Sequence, residues 1–190
     1  MYAGSFCHKS VACCGVSIIM VNNVDLTARA NDRDLHGLTV WFADNCPSLL
    51  PEFQQLLQYW SRLTPEGGMP SRKHMRPQDL VSHLPNIVLL DVIRDEDGAI
   101  SDIKTRLEGT EVAFFYGDIT GHSVTRLPSG EARDRVFFYA DILDEFNKPI
   151  VSRLSEIRSD RPLVSAHGVY IPLAEDGITM DKIFLALFMK

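Results

Sequence analysis

The sequence predicts an α+β fold: a five-stranded antiparallel sheet with helices on one face and an amphipathic helix ahead of it. Three observations predict it. Two acidic-glycine segments, Asp95-Glu96-Asp97-Gly98 and Glu175-Asp176-Gly177, each join a pair of apolar runs as a hairpin turn would. The longest helical pattern, Ser129–Asn147, falls between the second and third strands rather than alternating with each strand. Third, the strands differ in polarity. The first (Ile87–Ile93) and fifth (Ile183–Met189) are apolar on both faces, while the second and third carry charge. Central strands need two dry faces and edges are protected by charge, so strands one and five belong in the middle and two and three at the margins.

At 190 residues the chain suffices for one domain with an appendage and a sizeable core. A net charge of −6, with 45% hydrophobic and 23% charged residues, is ordinary for a globular protein and argues against a nucleic-acid surface. The densest basic patch, Arg72-Lys73-His74 with Arg76, reads as a solvated loop. Cys7, Cys13, Cys14 and Cys46 lack the spacing of a zinc pair and read as reduced thiols in a cytoplasmic protein.

Taken in order, residues 1–45 show little periodicity and are expected to be a poorly structured leader. Val11–Val21 with Ala28-Arg29-Ala30 has the outline of a signal peptide, but it is too short to span a bilayer. A loosely attached leader, or a start codon chosen ahead of Met20, is the preferred reading. Residues 46–64 hold an amphipathic helix: Leu49, Phe53, Leu56, Trp60 and Leu63 share one stripe, and Pro51 is tolerated in the first turn. Thr64–Pro70 breaks it, and a second short helix is expected from Arg76-Pro77 to Leu84-Pro85.

After the first hairpin, Ser101–Glu108 alternates, with Ile103, Thr105 and Leu107 on one face and Asp102, Lys104, Arg106 and Glu108 on the other. Gly109 is expected to take a backbone conformation closed to other residues, Thr110 to cap Glu111–Tyr116, and Gly117 to end that helix. On Ser129–Asn147, Ala132, Val136, Tyr139, Leu143 and Phe146 mark the buried face; Ser129 caps it and Asn147-Lys148-Pro149 stops it. Ile150–Ile157 and Leu163–Leu173 are the third and fourth strands.

The run Arg106-Leu107-Glu108-Gly109-Thr110, followed by Tyr116-Gly117-Asp118-Ile119-Thr120-Gly121, resembles the heart of a PAS sensor domain. More narrowly it is similar to a bacterial subgroup with an L-x-G-T corner and a Y-G…T-G turn. The resemblance runs from about Leu56 to Lys190 and implies the strand order 2-1-5-4-3, which agrees with the strand polarity. It assigns Gly109, Thr110, Gly117, Thr120 and Gly121 to the structural motif and residues 65–190 to the sensor domain.

The resemblance also implies a cytoplasmic sensory or protein-interaction module in bacterial signalling, binding a small ligand or a protein partner without turnover. A cavity between sheet and helices would use Tyr116, His122, Tyr170 and Phe137, with Phe114, Phe115 and Phe138 as further walls; alternatively these aromatics simply fill the core. The covalent photosensors of the family need a cysteine within the domain, and the haem-binding members commonly use a histidine on the long helix. No cysteine follows Cys46 and Ser129–Asn147 has no histidine, so no cofactor and no metal are expected. Arg106 is expected to lie on the charged face, pairing with Glu108 across a hairpin neighbour or binding an anionic partner, with a structural pair the preferred reading. The helix before the sheet either packs on the outer face of its own domain, the preferred arrangement, or pairs two subunits; a homodimer with Leu56 and Trp60 near the centre of the contact is the assembly expected.

No G-x-S-x-G elbow, phosphate loop, H-E-x-x-H or kinase signature occurs, and the histidines are scattered. The alternative to a sensor is a small-molecule enzyme using the same cavity, with Tyr116 and His122 as acid and base.

Overall fold

A computed structural model describes residues 24–66, 68–155 and 165–190. It contains helices α1 (Leu26–Asn31), α2 (Pro51–Leu63), α3 (Thr110–Tyr116) and α4 (Gly130–Phe146). Its strands are β1 (Leu38–Phe42), β2 (Ile87–Arg94), β3 (Ile100–Glu108), β4 (Ile150–Leu154), β5 (Ala166–Leu173) and β6 (Lys182–Met189). They form one antiparallel sheet in the order β1-β4-β5-β6-β2-β3.

The five expected strands keep their relative order, but the sheet has six. Residues 24–45 are where the expectation of a poorly structured leader needs correcting; residues 1–23 lie outside the described residues. Asp25 caps α1 by accepting the Ala28 N–H at 3.0 Å. In β1, Leu38, Val40 and Phe42 point into the core, and the strand pairs along the whole of β4. That pairing moves β4 from the expected margin to the interior, where Ile150, Val151, Ser152 and Leu154 are all buried. The remainder of the third strand and the start of the fourth, residues 156–164, lie outside the described residues.

The sheet separates two apolar clusters, with α1, α3 and α4 on one face and the amphipathic helix α2 on the other. On the inner face α1, α3 and α4 pack over Val88, Leu90, Ile103, Ile150, Tyr170 and Leu185. On the outer face Phe53 and Leu56 of α2 pack over Ile87, Leu89, Val169, Ile171 and Phe184. Leu56 is only 2% exposed, so the side chain expected at the centre of a dimer contact is used inside its own chain. Trp60 is half-buried, with an indole N–H that has no partner. The short helix expected between Arg76 and Pro85 is two 3-10 turns, Pro77–Leu80 and Leu84–Asn86, as proline at the start of each suits.

Caps and turns fix α4. Ser129 accepts the Ala132 N–H at 3.3 Å, and Asn147 closes the helix in the left-handed region (φ 52°). Arg94, at the end of β2, ties α4 to the sheet through both carboxylate oxygens of Asp144 and the Met180 carbonyl.

Candidate functional site

The site is set by a change of register in β3. Opposite β2, Val88 pairs with Glu108, Leu89 with Leu107, and Leu90 with Thr105, leaving Arg106 as the extra residue of a β-bulge. A one-residue shift reverses every later side chain. Leu107, expected inward with Ile103 and Thr105, therefore faces outward and is 44% exposed, while Glu108 turns to the inner face. Arg106 reaches Asp91 at 3.5 Å instead of Glu108.

Beyond the bulge the chain turns at Gly109, whose N–H donates to the Ile87 carbonyl at 2.8 Å. Its φ is an ordinary −72°, so the expected special conformation is not the reason for glycine here. The reason is space: a Cβ would overlap the carbonyl oxygens of Leu84 and Pro85. Thr110 is the first residue of α3 and makes no side-chain cap. Gly117 ends α3 with φ +88°, which favours glycine. From Gly121 (φ +79°) the chain stitches itself to the outer edge of β3. The Gly121 N–H donates to the Thr105 carbonyl at 2.7 Å, and the Thr105 N–H donates to the His122 carbonyl at 2.9 Å. Thr120 is exposed, its N–H bound to Asp118 Oδ1 at 2.9 Å. This loop covers an edge that would otherwise be open.

Between the inner face, α3 and α4 lies a cavity of about 80 Å³. Aliphatic side chains such as Val112, Val136, Leu185 and Leu187 make most of its wall. Its polar lining comes from every side: Thr105 and Glu108 of β3, Tyr116 of α3, Arg135 and Tyr139 of α4, Ser152 of β4 and Tyr170 of β5. Two small residues make room for Tyr170. A Cβ on Gly168 would come within 2.7 Å of its ring, and Ser152 opposite donates to the Tyr170 hydroxyl at 3.3 Å. The Tyr139 and Tyr170 rings pack against each other at a 36° tilt with centroids 4.0 Å apart.

The electrostatics follow from burial. Tyr170, 5% exposed, has its phenol pushed well above the usual range, chiefly by desolvation and then by Tyr139. Tyr116 and Tyr139 are raised for the same reason, and the Arg135 charge lowers both in part. Burial also raises Glu108, against the pull of the Ile119 N–H that its carboxylate accepts at 2.9 Å. Thr105 is 1% exposed, and its hydroxyl oxygen has no hydrogen-bond partner among the described residues although its backbone is fully engaged.

Of the expected ligand residues, the cavity brings together Tyr116 and Tyr170 alone. His122 is exposed on the β3 loop and outside the lining, so no Tyr116–His122 acid/base pair is assembled. Phe137 packs against the edge of the inner cluster, Phe138 is in the core, and Phe114 is 79% exposed. Sequence reasoning missed Thr105, Glu108, Arg135 and Ser152 as site residues. Arg135 was visible in principle, as a charge beside Ala132, Val136 and Tyr139 on the buried stripe of α4.

Among the described residues no group of His, Cys, Asp and Glu side chains is arranged to hold a metal ion. No helix among them is long and apolar enough to cross a membrane. Sheet order, glycine corner and cavity together define a sensor-type α+β domain. The PAS domain family matches residues 50–188, most of the chain, and the chain belongs to that family of sensory and interaction modules. The match begins at Leu50, so α1 and β1 lie ahead of it. No curated protein matches the chain.

Proposed function

We propose that the chain is a sensory module in bacterial signalling whose input is a small ligand held, without turnover, in the cavity beneath α3 and α4. The observation that carries this reading is the Thr105 hydroxyl, buried in the cavity wall with no partner. An unpartnered buried hydroxyl costs about 1–3 kcal/mol, which a polar group in the cavity would offset. Space for water exists as well, since about 15 Å³ suffices for one molecule. A ligand is preferred because the cavity wall is mostly aliphatic, with polar groups converging on it from five elements. A protein signalling partner belongs to the proposal as well. Self-association as a homodimer belongs to the proposal, with Trp60 and Leu63 as the half-buried part of α2 still available to it.

Methyl NMR tests the reading. Titration with a small-molecule filtrate from a cell extract should shift the methyls of Val112, Val136 and Leu185, and leave Val169 and Ile171 on the outer face unmoved. Shifts confined to the outer face, or none, would refute it.

A further inference from the structure

We infer that the cavity selects a small apolar carboxylate, whose head is taken by Arg135 with the tyrosine hydroxyls and whose body lies among the aliphatic side chains; this rests on the reading of the cavity as a ligand site. Arg135 is the pivotal residue. Its side chain is only 12% exposed, and its one ion pair among the described residues is to Glu131, 3.6 Å away and 81% exposed. An i,i+4 pair whose carboxylate is this well solvated contributes little. The guanidinium carries five N–H donors in a fixed fork, and among the described residues no hydrogen bond engages any of them. A cation this far from water with so weak a counter-charge is the arrangement that a desolvated anion would complete.

The groups around it suit the same partner. Tyr116 and Tyr139 lie within reach of its charge, and both carry neutral hydroxyls able to donate. The Thr105 hydroxyl is a further unpaired donor in the wall. Glu108, the one carboxyl in the lining, has no ion pair among the described residues, and its ordinary range is shifted up by burial, so it repels an anion less than a solvated glutamate would.

Size and charge narrow the class. Among the described lining residues, a single guanidinium without a lysine matches a monoanion such as a carboxylate, which can take its two N–H donors side by side. A phosphate dianion would find no second positive charge among those residues. A cavity of about 150 Å³ holds the six heavy atoms of a benzene ring, so about 80 Å³ holds roughly three. Only the shortest carboxylates, of the size of formate and acetate, match that space.

NMR titrations of the full chain with acetate, ethanol and acetamide test the inference, repeated on Arg135→Gln and Thr105→Val. Acetate should bind once per chain and at least tenfold more tightly than either neutral analogue. Arg135→Gln should lose that preference while keeping the weaker binding of ethanol, and Thr105→Val should weaken acetate several-fold. Tyr116→Phe, which keeps the ring, serves in place of Arg135→Gln should the latter fail to fold, with the same loss expected. Equal binding of acid and alcohol, or acetate binding untouched by these substitutions, would overturn the carboxylate inference and leave the cavity reading standing. Absence of binding by all three compounds, together with an extract that moves no inner-face methyl, would overturn both.

Discussion

Gly109→Ala isolates the close approach that positions α3 over the cavity. The added Cβ would meet the Pro85 carbonyl carbon at 2.5 Å, where ordinary contact begins at 3.4 Å. Relief requires at least about 0.9 Å of separation (3.4 minus 2.5 Å) between the corner and the 3-10 turn that runs into β2, because the carbonyl oxygens of Leu84 and Pro85 lie nearer still. The obstructing atoms are backbone, so no side-chain rotation provides it. The movement would also stretch the 2.8 Å bond from the Gly109 N–H to the Ile87 carbonyl. Overpacking costs about 1–3 kcal/mol and a lost backbone bond about 1 kcal/mol, giving about 2–4 kcal/mol in all. For a chain of this length that lowers Tm by about 5–15 °C. Gly98→Ala is the control: its φ of +85° is unfavourable for alanine, but nothing lies within 4 Å, so about 1 kcal/mol is expected. A thermal melt in which Gly109→Ala is no less stable than Gly98→Ala would refute the steric argument.

Other outcomes follow from the same contacts. Leu56→Ala should cost about 2–5 kcal/mol in chemical denaturation, because the side chain is buried on the outer face; an unchanged midpoint combined with a halved sedimenting mass would return Leu56 to a subunit interface. Glu108→Gln should stabilise the protein at neutral pH. The folded carboxyl titrates above its unfolded range, so its stabilising protonated form is lost as pH rises, and the advantage of Gln should vanish at pH values below the carboxyl range. Melts across that range check this, and a constant difference would contradict it. Asp144→Asn should cost about 1–3 kcal/mol by weakening the Arg94 tie between β2 and α4, read as a lower urea midpoint.

The parts of the fold legible in the sequence were those whose signal is local. Pro51 and the Phe53–Leu56–Trp60 stripe marked α2, and Ser129 and Asn147 marked both ends of α4 to the residue. Polarity placed β2 and β6 side by side inside the sheet because both are covered on both faces, but it wrongly put β4 at a margin, where β1 covers its edge. β1 went unread because five residues of alternation, Leu38 to Phe42, stand isolated after a polar stretch, and their partner β4 lies more than a hundred residues away. The cavity was legible only in part. Tyr116 and Tyr170 follow from the family pattern, whereas Glu108 does not. A period-two reading puts Glu108 on the solvent face, and only the bulge at Arg106 brings it inward. Bulges are set by pairing with another strand and leave no mark in the alternation itself. Gly109 was correctly singled out for the wrong reason, since its constraint comes from Leu84 and Pro85 rather than from its own dihedral angles.

Occupancy of the cavity is tested most directly by native mass spectrometry of the wild type and of Val136→Phe, whose ring would fill the space between α4 and the sheet. Both proteins are incubated with the same small-molecule filtrate, desalted and weighed, after a melt has shown the variant folded. The account predicts one bound small molecule per wild-type chain, released on denaturation, and none on Val136→Phe. Equal occupancy of the two proteins, or a bare mass for both, would contradict it.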